Sequence, residues 1–362
     1  MRTVVSLGTL ILAGSCGRAP SPIEPTADAG IADARPRPPA PDMGANVTEH
    51  GVTFRVWAPH ARAAYVAGDF TDAPLAMVAT TDGVFELDSA AAHVGSIYHY
   101  ELDTDNGMLR RVDPYCRELM TKAPDCMVED PYAYAWHDDG FVAPDRAHSI
   151  VYELHIGSFT NAGTFTAARE RLAELHELGV TTIELMPVNA FGGGDRSWGY
   201  NPQLYLAPKH SYGSADELRA FVDEAHRQGI AVWVDFVVNH SDGYRGAPLV
   251  CYDGYCPNNA WGIHFFPPGT YATTPWGPRP NYSDPHVATM LRDAVSQWLG
   301  EFHGDGFRWD SVSNIRALDG NGTTPGGREL LVAANDLTHQ YGSLSIAEDL
   351  KGYGAITQPT SA

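Results

Sequence analysis

From Ile150 onward the chain alternates unbroken apolar runs with amphipathic segments, each ending at a glycine, and few folds accept that pattern. The apolar runs span residues 150–159, 182–188, 230–239, 306–312 and 344–349, and predict strands buried on both faces. Between them a period near 3.6 predicts helices over 165–178, 215–228, 285–303 and 327–341. Gly179, Gly229, Gly304 and Gly342 follow these helices and are expected in the left-handed conformation that closes a helix. Ser214 with Glu217 has the form of a capping box, and Asp284 provides an N-cap ahead of Pro285 in the first turn. Strands of this kind alternating with helices make a parallel sheet covered by helices, an α/β fold. Periodicity does not separate a doubly wound sheet from a barrel. No strand is followed by a glycine-rich phosphate loop, which removes the main support for a dinucleotide-binding fold.

Residues 45–140 have another texture. Short runs of period two at 52–57, 63–66, 84–87 and 97–102, separated by Gly, Asp and Pro, predict an immunoglobulin-like β-sandwich. Ahead of it, residues 17–44 carry too few large apolar side chains to bury a core and form a semi-rigid Pro/Ala-rich tether. Residues 1–16 combine Arg2, a short apolar stretch to Ala13 and the small residues Gly14 and Ser15, the pattern of a signal peptide. Ala13-Gly14-Ser15-Cys16 resembles the lipobox of bacterial lipoproteins, with Cys16 as the lipidated residue, and ordinary cleavage is the alternative. No segment approaches the roughly 20 apolar residues of a spanning helix, so no transmembrane helix is predicted.

Asp and Glu number 44 against 24 Lys and Arg, and a net charge of −20 repels phosphate backbones, so no nucleic-acid partner is expected. An aromatic complement of 8 Trp, 17 Tyr and 13 Phe leans toward a neutral, stackable ligand such as a sugar. Cys116 and Cys126 form one local pair, Cys251 and Cys256 another, and an exported protein would oxidise both. In a reducing compartment they would be four thiols. Neither pair has zinc-ligand spacing or an activating neighbour.

Polar residues recur at the carboxyl ends of the strands, where parallel α/β folds place their sites. Asp235 interrupts an apolar strand that finishes at Asn239-His240, and a carboxylate there is costly unless paired, so it is either functional or a satisfied structural group. Arg308 and Asp310 are two residues apart and leave the same face of an extended segment, as an ion pair or as a nucleophile kept charged by its neighbour. Glu348 closes the last run behind Ser345-Ile346-Ala347, and an apolar flank would raise its pKa toward that of a general acid; a helix N-terminal charge, shared with Asp349, is the other reading.

In order and wording, residues 235–240 (DFVVNH), 306–310 (GFRWD) and 347–349 (AED) resemble the first three conserved regions of glycoside hydrolase family 13, the α-amylase family. Residues 151–157, 183–188 and 198–202 (WGYNP) are similar to its glucan branching enzyme and maltooligosyltrehalose trehalohydrolase branch. Residues 51–59 look like the start of the carbohydrate-binding module of family 48. The resemblance implies Asp310 as nucleophile and Glu348 as general acid/base of a retaining reaction on α-1,4-glucan, whether starch, glycogen or maltooligosaccharide. It implies substrate-binding roles for Tyr200, Asp235, His240 and Arg308, with Tyr200 stacking under the attacked sugar. No cofactor is required. Calcium stays open, because Asn239 matches a calcium ligand of many amylases that the branching-enzyme group does not use.

The family's third carboxylate, in a His-Asp pair after the seventh barrel strand, has no counterpart here, and five strands stand where the barrel has eight. Residues 141–362 are therefore expected to form an incomplete (β/α)8 TIM barrel, inactive and aggregation-prone by itself. Branching-enzyme-like chemistry, an exported α-amylase-type hydrolase and a non-catalytic glucan-binding lipoprotein are the functional alternatives. Each is compatible with an exported chain, periplasmic, extracellular or held at a membrane through Cys16.

Overall fold

The computed structural model describes residues 35, 37–120, 125–317 and 323–351, which fall within one compact unit. The signal-peptide segment with Cys16, most of the tether and the tail at 358–362 lie outside the described residues. Ten short strands come first: β1 (Gly44–Thr48), β2 (Gly51–Trp57), β3 (Ala63–Gly68), β4 (Leu75–Ala76), β5 (Val78–Ala79), β6 (Val84–Ser89), β7 (Ile97–Thr104), β8 (Gly107–Arg111), β9 (Glu118–Leu119) and β10 (Cys126–Met127). They build two sheets, β1-β2-β6-β5 and β4-β3-β7-β10-β9, with β8 paired to β7. Alternation does the work expected of it. Val52, Phe54 and Val56 of β2 and Tyr98, Tyr100 and Leu102 of β7 face inward, and the Phe54 and Tyr98 rings meet edge-on at 5.0 Å. Cys116 and Cys126 are bonded to each other, with Cα atoms 5.8 Å apart.

A single parallel sheet follows, in sequence order: β11 (Val151–Leu154), β12 (Thr182–Leu185), β13 (Ala231–Phe236), β14 (Gly306–Trp309) and β15 (Leu344–Ala347). Its connections carry α1 (Ile156–Phe159), α2 (Phe165–Arg169), α3 (Leu172–Leu178), α4 (Ala215–Arg227), α5 (Pro285–Gly300), α6 (Val312–Arg316) and α7 (Gly327–Gln340). This is the parallel α/β sheet the pattern predicts, in the form of the partial TIM barrel that the resemblance implies. Every strand nevertheless stops short of its apolar run. The run at 150–159 divides because Gly157 lets the chain turn into α1 against the backbone of Asp195, where an added Cβ would lie 2.0 Å from the carbonyl oxygen. The run at 182–188 ends before Pro187, which has no N–H for a ladder. The helix expected over 165–178 is two helices. Arg171 leaves helical geometry at φ −104° and ψ 1°, and Phe165 and Ala168 before the break and Leu172 and Leu175 after it all reach the core.

Helix ends follow their residues with one exception. Gly179, Gly229 and Gly342 have φ of 90°, 75° and 67°, whereas after α5 the left-handed residue is His303, at φ 52°, and not Gly304. His303 is held there by Asp138, 2.8 Å from its Nδ1, and by the Trp136 ring stacked on it at 3.6 Å. Both halves of the Ser214–Glu217 capping box are formed, and Asp284 accepts from the N–H groups of His286 and Val287.

The sandwich grips the barrel through several polar contacts. Residues 251–256, closed by the Cys251–Cys256 disulfide, offer the carbonyls of Cys251 and Tyr252 to Arg111, that of Gly254 to Asn106, and the Asp253 carboxylate to His60. Tyr255 stacks on the His60 ring at 3.9 Å. Elsewhere Arg117 and Glu301 form a buried ion pair at 3.1 Å.

Beneath the sheet, His226 stands fully buried between two carboxylates, Nδ1 2.9 Å from Asp138 and Nε2 2.8 Å from Asp305. Burial opposes its charge, but Asp305 and Asp138 together raise its pKa above the ordinary 6.5. A raised histidine contributes stability that is complete below about pH 6.5 and is lost as pH rises through the folded value. His226→Gln is expected to lose about 3 kcal/mol at about pH 6 and to flatten that alkaline decline. Urea denaturation of both proteins across this range checks it; parallel pH profiles would refute it.

Candidate active site

The polar residues singled out at the strand ends converge on one guanidinium. In the ladder Asp235 of β13 lies opposite Arg308 of β14, and Trp309 opposite Ala347 of β15, so the residues just past these strands are neighbours. Arg308 Nη1 donates to both Asp235 oxygens, at 2.9 and 3.0 Å, and to Asp310 Oδ1 at 2.8 Å. Its Nη2 lies 2.9 Å from Glu348 Oε1. One cation thus spans three carboxylates. Asp235 is tolerated within an all-buried strand because the Tyr200 hydroxyl also donates to it, at 2.6 Å. Burial still pushes its pKa up to about 7 against the pull of Arg308 and Tyr200. The Tyr200 hydroxyl is raised by burial and by Asp235, and Arg308 holds its proton more firmly because Asp235 and Asp310 outweigh its own desolvation.

Asp310 is held from a second side. Asn239 Nδ2 donates to Asp310 Oδ2 at 2.6 Å and to the Asp310 carbonyl at 3.1 Å. Asn239 Oδ1 lies 2.7 Å from His240 Nδ1, and His240 Nε2 donates to the Tyr200 carbonyl at 2.7 Å. Burial lowers the His240 pKa. Tyr200, Asp235, Asn239, His240, Arg308, Asp310 and Glu348 therefore form one connected group. Asn239 thus spends its amide N–H groups on Asp310 and sets its oxygen beside His240, and no group of three His, Cys, Asp or Glu among the described residues is placed to hold a metal ion.

Glu348 differs from its expectation. Its side chain is 33% exposed and its carboxylate has polar neighbours, the Arg308 guanidinium and the Ser311 N–H, which donates to Oε2 at 2.9 Å. Asp349 does not share this position; it pairs with Arg316 at 2.6 Å. Sequence reasoning missed Ser311. Immediately after Asp310 it takes φ 45° and ψ 54°, a conformation that side chains other than glycine seldom adopt, and this turns its N–H toward Glu348. Nothing in a serine announces that. The Asn239–Asp310 bond was within reach of sequence reasoning, since Asn239 sits at a strand end beside His240. The four bonded cysteines lie outside the group, and Cys16 lies outside the described residues.

Residues 42–116 match carbohydrate-binding module 48, the isoamylase N-terminal domain, and residues 141–245 match the alpha amylase catalytic domain. A 1,4-alpha-glucan branching enzyme of Corynebacterium jeikeium is 33% identical over 356 residues, covering 88% of this chain and 48% of that enzyme. A malto-oligosyltrehalose trehalohydrolase of Saccharolobus solfataricus is 33% identical over 309 residues, 84% of this chain and 51% of that protein. Among solved structures, a candidate alpha amylase from Salmonella typhimurium has a TM-score of 0.72 at 33% identity, covering 85% of this chain and 50% of that one. A pullulanase from Bacillus acidopullulyticus, 23% identical with a TM-score of 0.71 over 86% of this chain and 42% of its own, shares the fold. The chain spans about half the length of the curated relatives it matches.

Removing the central cation tests the geometry without reference to any reaction. Arg308→Met leaves three carboxylates facing one another, and protonation relieves that repulsion. It is expected to cost about 3 kcal/mol at about pH 8 and clearly less at about pH 5. Urea unfolding at the two pH values measures the difference, and an equal loss at both would refute the arrangement.

Proposed function

Because the chain belongs to the alpha-amylase family, with a carbohydrate-binding module 48 ahead of its barrel, we propose that it acts on α-1,4-glucosidic bonds by retaining, branching-enzyme-like chemistry. Asp310 attacks the anomeric carbon as Glu348 gives its proton to the departing glycosidic oxygen, leaving a glycosyl ester on Asp310. Glu348 then takes a proton from the acceptor, a glucan hydroxyl or water, whose oxygen replaces Asp310 at the same carbon. The observation that carries this reading is the Arg308 guanidinium shared by Asp235, Asp310 and Glu348. With Asn239 it keeps Asp310 oriented, while Tyr200, Asp235 and His240 line the place of the attacked sugar. No step needs a cofactor, and the partner is a neutral α-glucan.

The 362 residues by themselves are proposed to bind glucan without turning it over, because among the described residues β11 and β15 each pair with one strand and the family's third carboxylate has no counterpart in the sequence. An activated α-glucosyl fluoride, whose fluoride leaves without a proton, separates the two statements. Mass spectrometry is expected to find a glucosyl adduct on the peptide holding Asp310 and none in Asp310→Asn, with amylose unchanged by iodine staining. An adduct elsewhere would overturn the nucleophile; amylose turnover would overturn the inactivity.

Two disulfides favour an oxidising compartment and support the reading of an exported chain, and the lipobox-like residues 13–16 are the ground for proposing a lipid anchor at Cys16. Cells fed a tagged fatty acid are then expected to label the chain at Cys16, and Cys16→Ser to abolish the label. Equal labelling of both would refute the anchor.

A further inference from the structure

The two disulfides differ in what surrounds them. Cys116 and Cys126 are both fully buried, and Cys126 stands in the ladder between β7 and β9. Cys251 and Cys256 are only partly buried, and Tyr255 before Cys256 and Pro257, Asn258 and Asn259 after it are exposed. A thiolate arriving from solvent can reach the Cys256 sulfur, whereas the other pair is sealed within the sandwich.

The ring that Cys251 and Cys256 close is also where the backbone is held away from its ordinary conformations. Cys251, Asn258 and Asn259 have φ of 50°, 53° and 61°, a region that residues other than glycine seldom enter. Such conformations persist only where surrounding contacts over-determine them. The sandwich, in turn, holds this ring mainly by its main chain. Arg111 donates to the Cys251 and Tyr252 carbonyls at 3.1 and 2.6 Å, and Asn106 Nδ2 to that of Gly254 at 2.7 Å. The φ and ψ angles of the ring aim those carbonyls, so the bonds depend on its closure more than on the side chains it carries. The Asp253 carboxylate completes the contact by accepting from the His60 N–H at 3.0 Å.

We infer that Cys251–Cys256 is a site of thiol–disulfide exchange, opened by a dithiol reductant while Cys116–Cys126 stays closed, and that its opening releases the hold of the sandwich on this loop. One thiolate of the reductant attacks Cys256 Sγ, the bond between the two sulfurs breaks, and Cys251 leaves as a thiolate that takes up a proton. The second thiolate of the reductant then attacks its own sulfur in the mixed disulfide and frees Cys256. Two electrons pass to the protein, which ends with two thiols while the reductant ends as a disulfide. With the ring open, residues 251–259 relax toward ordinary backbone angles, and their carbonyls no longer converge on Arg111 and Asn106. No step involves the carboxylate group, so the inference stands apart from the glucan reading.

Selective reduction of the whole chain tests both halves. Free thiols are first blocked with N-ethylmaleimide, dithiothreitol is added, and new thiols are trapped with iodoacetamide and located by mass spectrometry. Cys251 and Cys256 are expected to label at least about a hundredfold faster than Cys116 and Cys126. Hydrogen exchange of the selectively reduced chain is expected to rise about tenfold at His60, whose N–H rests on Asp253, and little in the parallel sheet. The double variant Cys251→Ser with Cys256→Ser is expected to show the same fast His60 exchange without reductant, and a melting temperature lower by about 4 °C. Labelling of all four cysteines at one rate, or of none, would overturn the exchange site. Selective labelling with unchanged exchange at His60 would overturn the release, and this measurement on the native chain stands even if the variant does not fold.

Discussion

Three carboxylates at the ends of adjacent parallel strands can be tolerated only with a cation among them, and Arg308 is that cation. Asp235 is almost entirely withdrawn from water and would be driven to its neutral form without a partner, and Asp310 takes the same cation from the next strand. The guanidinium suits the task better than an ammonium would, since its planar fork reaches several oxygens at once. The register of β13 against β14 places it, because Asp235 and Arg308 are direct neighbours in the ladder. Sheet geometry and site electrostatics are therefore one problem with one solution.

Around that centre the backbone carries the rest. Asn239 and Ser311 are the two residues that follow strand ends without ionising, and each delivers an N–H to a carboxylate. Asn239 does so from its side chain. Ser311 does so from the main chain, by taking a left-handed conformation at the point where β14 gives way to α6. Strain of this kind persists where surrounding contacts over-determine it, here the ladder-like bonds of Glu348 and Asp310 to neighbouring strands.

Most of this architecture was legible in the residues. Apolar runs between glycine-terminated helices locate all five parallel strands, because buried strands and helix ends obey local rules that a single sequence displays. Strand lengths were not legible. Gly157 and Pro187 shorten two of them for reasons of close approach and missing N–H that depend on what packs alongside. The break at Arg171 and the left-handed His303 have the same origin, tertiary contacts prevailing over periodicity. In the candidate site the residue identities were visible and the environment of Glu348 was not, since its polar neighbours arrive from a different strand and from a turn.

The loop between β13 and α5 faces two ways. One stretch carries Asn239, His240 and, further on, Trp276; another, residues 251–256, is the disulfide-closed knob that the sandwich clasps through His60, Asn106 and Arg111. The sandwich is thus a brace for the very loop that shapes the cleft, and not a detachable accessory strung on a linker. An exchange of such modules between relatives succeeds as a graft only if the knob travels with its clasp.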